Sequence, residues 1–257
     1  MKEYLGRVEL LLGKEALQSI AETKVIIFGV GGVGSWCAES LVRSGIRHLT
    51  IVDSDCVAES NINRQAEATV ATVGQVKVEA MRDRLLSINP DAEIITIQKT
   101  YSRETNHEFH LEDYDYIIDC IDSLKDKAAL LINATNGTWG EQAPLVADFP
   151  PQPYVKATVF SSMGAALKVD PTQIKVAEYW KVRGCPLGAA LRKKMKRARQ
   201  QLGKDVLCVY SEELLENRGH TDETCDYKAV VNGTLAHITA IFGFTIAGLL
   251  LRDITNK

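Results

Sequence analysis

The segment Lys24–Gly34, KVIIFGVGGVG, constrains this chain more than any other. Val25, Ile26, Ile27 and Phe28 run without a polar break, the pattern of a central parallel strand buried on both faces. The turn Gly29-Val30-Gly31-Gly32-Val33-Gly34 follows at once, and Ser35–Ser44 carries helical spacing closed by Gly45. Glycines let a backbone turn tightly and come close to a ligand. A helix N-terminus then aims free N–H groups and a positive dipole at it, which suits a phosphate. Strand, glycine turn and helix in this order predict an α/β fold that binds a nucleotide, with Gly29, Gly31, Gly32 and Gly34 on the phosphate side.

The following stretches add polar groups to the same edge. His48–Asp53 reads as a second strand, and Asp53 lies 19 positions beyond Gly34, where a ribose-binding carboxylate is expected. The polar loop after it, 54–68, holds Asp55, Asn61, Asn63, Arg64 and Gln65. Arg64 can fork onto phosphate oxygens, which suits a triphosphate better than a nicotinamide dinucleotide. Thr72–Asn89 is an amphipathic helix ended by Pro90, with Lys77 near its start, where the macrodipole disfavours a cation. Either a ligand-facing lysine or a solvated one fits that position. Glu93–Gln98 is a third strand and Tyr114–Ile121 a fourth, followed by the helix Leu124–Ala134. Asp119, Ile121 and Asp122 therefore fall at the C-terminal edge of the sheet, where open α/β folds bind ligands. Asp122 suits either Mg²⁺ or the helix N-cap.

The second half is less regular. Pro144–Phe149 and Val155–Ser162 offer two strands around a proline-rich break, because proline cannot donate to a ladder. Ala165–Val169 and Ile174–Ala177 read as strands joined at Asp170-Pro171-Thr172, and Val206–Tyr210 as another. Between them, 191–204 holds seven Lys/Arg and no acid: Arg192, Lys193, Lys194, Lys196, Arg197, Arg199 and Lys204. A solvated face and a tRNA-backbone contact are both open for such a basic helix, placed over 187–202. Leu235–Leu251 is a 17-residue uncharged run with Gly243 and Gly248, short for a membrane span and better read as a core or dimer-interface helix with His237 packed inside. At the other end, 4–22 reads as one or two helices with Leu10, Leu11, Leu12, Ala16, Leu17 and Ile20 on one apolar face, and Arg7 as a solvated charge.

Composition sets the outer bounds. The chain is 46% hydrophobic and 25% charged with a net charge of −3, an ordinary globular balance that excludes wholesale coating of nucleic acid. Six cysteines fall in no CxxC pair, so neither a disulfide framework nor a structural zinc site is indicated, and a reducing cytoplasm is the expected compartment. The charged N-terminus has no signal-peptide core. No obligatory membrane insertion is expected, with peripheral contact left open.

The motifs GVGGVGSW, VDSDCVAESNINRQ, TVGQVKVE and DCIDS, in that order, resemble the ATP-binding half of the ubiquitin-activating E1-like superfamily that includes the MoeB and ThiF adenylyltransferases. SSMGAALKVDPTQIKVA, and GCPL before a basic helix, resemble its tRNA threonylcarbamoyladenosine dehydratase branch. The resemblance implies a single Rossmann-like unit over 1–257: a mostly parallel sheet with helices on both faces, an ATP-binding half at 1–135, and a mixed α/β substrate and dimerisation half at 136–257. It implies ATP, Mg²⁺ and a possible monovalent cation as cofactors. Its implied partners are tRNA bearing threonylcarbamoyladenosine (t6A), a second copy of the chain, and a possible sulfur-relay protein. Asp53 would bind ribose, and Asn61, Arg64 and Gln65 would line the ATP pocket. Arg64 and Lys77 would meet phosphates, Asp122 would hold Mg²⁺, and Arg7 would reach the partner's ATP across a homodimer.

The implied reaction is ATP-dependent cyclisation of t6A at position 37 of tRNA, through an acyl-adenylate. Activation of the C-terminal glycine of a ubiquitin-like sulfur carrier is the alternative. The missing CxxC pairs and the basic run favour the tRNA branch. A plain NAD oxidoreductase would leave Arg64, Lys77 and Asp122 unexplained, and a tRNA-binding module with a vestigial pocket also fits an apparent insertion at 147–160. Cys185 lies where some E1-like proteins carry a catalytic cysteine, and is read as structural.

Overall fold

The computed structural model describes residues 3–139, 153–219 and 231–256. Two short helices, α1 (Gly6–Leu12) and α2 (Lys14–Glu22), lead into β1 (Lys24–Phe28), α3 (Gly34–Arg43) and β2 (His48–Val52). Next come α4 (Lys77–Ile88), β3 (Glu93–Ile97), β4 (Tyr116–Asp119), α5 (Leu124–Ala134) and β5 (Thr158–Ser162). The chain continues through β6 (Ile174–Glu178), α6 (Pro186–Arg197), β7 (Leu207–Ser211) and α7 (Ala236–Thr255). One seven-stranded sheet has the order β3-β2-β1-β4-β5-β7-β6, parallel except for β6 against β7.

The double-sided burial expected of β1 is its actual environment. Val25 and Ile27 enter a core formed with α2, α3, α4 and α7, while Ile26 and Phe28 enter the opposite core with α5 and α6. From β1 the chain winds outward to β2 and β3, then returns to β4 on the other side of β1. This reversal opens a crevice between the C-terminal ends of β1 and β4, where Phe28 pairs with Asp119.

Several sequence expectations are corrected here. Helix α4 begins five residues later than its periodicity predicts, because Gly74 has φ +87° and the Val57 backbone exchanges hydrogen bonds with Gly74 and Gln75. No strand forms over 165–169: Leu167 has φ +60°, and its backbone pairs with Gly233 and Leu215 instead. The 4–22 apolar face is split at Gly13, so that Leu17 and Ile20 are buried while Leu10 and Leu11 stand 88% and 82% exposed. His237 is not packed but exposed on the first turn of α7, where its Nε2 meets the Val169 carbonyl at 2.9 Å. The 144–149 strand, residues 147–152 of the 147–160 insertion and Cys225 lie outside the described residues, while the rest of that insertion leads into β5. Helix α7 is long and apolar enough to cross a membrane, yet half of it is buried, with its main packing on α3. Gly243 allows that approach, since a Cβ there would stand 2.5 Å from the Val33 carbonyl oxygen.

Under the crevice lies a fully buried ion pair, Lys127 Nζ to Asp119 Oδ2 at 2.7 Å. Asp119 also accepts from the Ile121 amide (3.1 Å) and the Ser161 hydroxyl (2.7 Å), and Lys127 donates to the Ile121 carbonyl (3.0 Å). Removing one partner strands the other charge. Lys127→Met is expected to cost about 3–5 kcal/mol in urea unfolding, and pairing it with Asp119→Leu to recover most of that loss.

Candidate active site

The glycine turn is fixed from behind by backbone contacts. Gly29 has φ +89°, and a Cβ on it would stand 2.7 Å from the Cys120 carbonyl oxygen; one on Gly34 would stand 1.9 Å from the Gly29 carbonyl oxygen. Those two positions admit no side chain, so the turn folds tightly between β1 and β4 and starts α3 directly. Gly31 is different: among the described residues, a Cβ there meets Gln65 Nε2 alone, at 3.8 Å. It leaves open the side of the turn on which a ligand would approach.

Asp53, at the end of β2, staples this turn to the neighbouring strand. Its carboxylate accepts from the Val30 amide at 2.7 Å and from the Asp55 amide at 3.0 Å. Burial raises its pKa, by more than the nearby Lys77 lowers it. Lys77 is the first residue of α4 and is buried, its ammonium 2.9 Å from Asp55 Oδ2. Burial alone would lower the pKa of that ammonium, but Asp53 and Asp55 outweigh it and the net shift is upward. The unfavourable end of the dipole is thus offset by carboxylates, and Lys77 stays charged.

The 54–68 loop closes the other side. Asn61 accepts from the Ala58 amide through its side-chain oxygen (3.0 Å), which shapes the loop. Asn63 donates to the Thr234 carbonyl just before α7 (3.0 Å), and Arg64 Nη1 donates to Asn63 Oδ1 (2.8 Å) and the Ser60 carbonyl (2.9 Å). Gln65 is buried against the turn with its Oε1 unpartnered. Ile121 and Asp122 follow β4 at the crevice, Asp122 exposed. The N-cap of α5 is Ser123 and not Asp122.

Three sets of expected residues do not join this cluster. Asp119 has no surface at all and braces the crevice from below, so direct contact with a ligand is ruled out for it. Arg7 sits on α1 beside Ser44, at the far end of α3 from the glycine turn, lining a groove with Leu11, Leu12 and Leu251. The basic helix is also displaced. Helix α6 starts at the crevice edge, where Cys185 and Leu187 approach Gly164 just beyond β5. It ends beside the C-terminus of α5, where Gln201 bridges to Thr138 and the Gly203 amide donates to Thr135 Oγ1. Lys193, Lys194, Lys196, Arg197 and Arg199 therefore lie toward the opposite edge of the sheet, up to ~18 Å from the start of α6. Arg192 turns inward to the Tyr179 carbonyl (3.4 Å).

One residue of the cluster has no sequence signal beyond its place in the loop. Glu67 is 2% exposed, and both its carboxylate oxygens are buried without a well-formed hydrogen bond. Burial pushes its pKa up to about 7, with Lys77 pulling down and Asp53 pushing up. The folded state therefore holds a proton that the unfolded state loses, and the stability this confers declines as pH rises from about 4.5 to about 7. Relative to wild type, Glu67→Gln should gain about 3 kcal/mol between pH 4 and pH 8, read from urea unfolding at both pH values.

Comparison with known proteins fits this geometry. The ThiF family model matches residues 5–257. The tRNA threonylcarbamoyladenosine dehydratase of Bacillus subtilis is 36% identical over 213 residues, covering 83% of this chain and 76% of that protein. The crystal structure of E. coli tRNA N6-threonylcarbamoyladenosine dehydratase, TcdA, in complex with ATP is similar with a TM-score of 0.80 and 31% identity, covering 99% of this chain and 94% of that one. Molybdopterin-synthase adenylyltransferase of E. coli is 34% identical, but over 58% of this chain and 57% of its own length. A match over almost the whole length places this chain in the ThiF family.

Proposed function

We propose that this protein is an ATP-dependent tRNA t6A dehydratase. The observation that carries the reading is the buried Lys77 ammonium beside the glycine turn, in a chain similar end to end to dehydratases of that name. A triphosphate carries more charge than the diphosphate bridge of a dinucleotide and so gives a buried cation there a clearer use. The triphosphate would lie along the turn and the N-terminus of α3, with Lys77 and Arg64 exchanging their present partners for phosphate oxygens. Asp53 would meet the ribose from the stapled end of β2, and Asn61, Asn63 and Gln65 would shape the wall. Asp55, now paired with Lys77, would release it.

The threonylcarbamoyl carboxylate attacks the α-phosphorus and pyrophosphate leaves. A ureido nitrogen of the same group then attacks the activated carbonyl, loses its proton and expels AMP, so the nucleoside loses one water overall. Two anions approach one another in the first step, and Lys77 and Arg64 supply the charge that lowers this barrier. Both reacting groups of the second step sit on one arm, so proximity replaces a dedicated nucleophile. Buried Cys185 is not needed. Among the described residues no cage of three His, Cys, Asp or Glu forms. The exposed Asp122 would hold Mg²⁺, which when bound would supply charge neutralisation at the phosphates.

The chain acts as one adenylating unit, with 1–135 holding the nucleotide and 136–257 the RNA and, together with α1, the dimer contact. The basic side chains of α6 would hold tRNA backbone at a distance from the crevice. The exposed Leu10 and Leu11 on α1, next to Arg7, support a homodimer. The described cysteines, Cys37, Cys56, Cys120, Cys185 and Cys208, are free, which suits a reducing cytoplasm.

The deciding experiment is mass analysis of nucleosides from t6A-bearing tRNA after incubation with protein, ATP and Mg²⁺. Loss of one water that depends on ATP is expected, and Lys77→Ala should slow it by about 10²-fold or more. An unchanged nucleoside with a carrier-dependent ATP–pyrophosphate exchange would shift the assignment to sulfur-carrier activation. For the dimer, Leu10→Glu with Leu11→Glu should halve the mass seen in sedimentation and leave the circular dichroism intact.

A further inference from the structure

The adenylation chemistry leaves Glu67 without a task. It lies in the stretch that links the Arg64 loop to α4, behind the glycine turn. Asp53 from the end of β2 and Lys77 from α4 act on it electrostatically, while Ser35 on the first turn of α3 offers weak hydrogen-bonding support. Asp55 reaches the same ammonium from the other side. Asp53, Asp55 and Glu67 thus share one counter-charge, Lys77, which is the group a polyphosphate needs. Asp55 is 64% exposed and is screened by water when it lets go. Glu67 is buried with neither oxygen in a well-formed hydrogen bond, so beyond weak support from Ser35 and its own backbone amide, Lys77 is the one cation that acts on its ionised form.

We propose that Glu67 is a positioning residue that acts through Lys77: as a neutral acid it leaves the ammonium to the triphosphate, as a carboxylate it draws the ammonium into the floor of the site, and nucleotide binding therefore takes up a proton at Glu67. The inference rests on the reading of this crevice as an ATP site. Its electrostatics point the same way. Burial already brings the residue to about 7 in the free protein. Arrival of phosphate adds negative charge nearby and turns Lys77 away, and both effects favour the protonated form. Asp53 is also shifted upward by burial, so the test has to tell glutamate from aspartate.

Calorimetric titration of ATP with Mg²⁺ at pH 7.5 and 8.5, each in two buffers of different ionisation enthalpy, gives both Kd and protons taken up. Wild type is expected to take up about one proton more than Glu67→Gln, the contribution of the ATP phosphates being common to both. Its Kd should weaken relative to that variant by up to ~10-fold per pH unit above neutrality, and Glu67→Asp should keep the wild-type slope. Infrared difference spectra of wild type labelled with ¹³C-glutamate should gain a protonated-carboxyl band, shifted by the label, when ATP is added. This second measurement stands even if Glu67→Gln does not fold. Equal proton uptake in wild type and Glu67→Gln, or a new band that the glutamate label does not shift, would overturn the proposal while leaving the ATP site in place. Wild type that binds no ATP would overturn the nucleotide reading and this inference together.

Discussion

The crevice depends on an ion pair that no ligand touches. Asp119 and Lys127 are both without solvent exposure, and between them they hold the amide and the carbonyl of Ile121. That short backbone segment carries the Cys120 carbonyl, which packs against Gly29, and the exposed Asp122. A buried pair is a poor source of stability, because desolvating two charges costs about what their attraction returns. Its use here is geometric. It sets where β4 stops and α5 begins, and so fixes one wall of the crevice against the glycine turn on the other.

The second constraint is a surplus of negative charge. A site for a polyanion would be expected to be positive, yet Lys77 sits among three carboxylates. Those carboxylates have separate duties. Asp53 holds the turn through the Val30 amide and is needed where it stands. Asp55 is exposed and holds Lys77 in place through a contact that water can replace at little cost. Such an arrangement keeps a buried lysine charged and ordered, and in the proposed function the ammonium would reach phosphate by exchanging one anionic partner for another.

Much of this was legible in the sequence, and the reasons differ by element. The run Val25–Phe28 and the glycines after it could form little else, since only a doubly covered strand tolerates that pattern and only a tight turn tolerates those glycines. The place of Asp53 beside the turn was readable from its spacing, whereas the dipole argument left Lys77 open between a ligand-facing and a solvated lysine, and its burial among carboxylates rules out the solvated one. What could not be read was what depends on the third dimension. Asp119 and Asp122 look equivalent in DCIDS, but the first is the last residue of β4 and a buried brace, while the second, three residues on and beyond the strand, is exposed. Leu167 has the apolar neighbours of a strand and a left-handed backbone, because its partners are two loops far away in sequence. Glu67 looks like any loop glutamate until α3, α4 and β2 close over it.

The direction of α6 carries a last consequence for how RNA would be held. Its N-terminus, at Cys185 and Pro186, belongs to the crevice, while its basic side chains lie toward the other edge of the sheet. Net charge over the whole chain is slightly negative, so attraction for a nucleic acid has to come from such a local concentration of cations. A small substrate would gain nothing from charge placed there. An RNA whose reacting nucleotide enters the crevice while its backbone follows the outside of α6 would use both ends of the helix. On the proposed function the separation would serve selection: a free nucleoside would reach the chemistry but not the basic surface, and a ligand long enough to span both would gain from each contact.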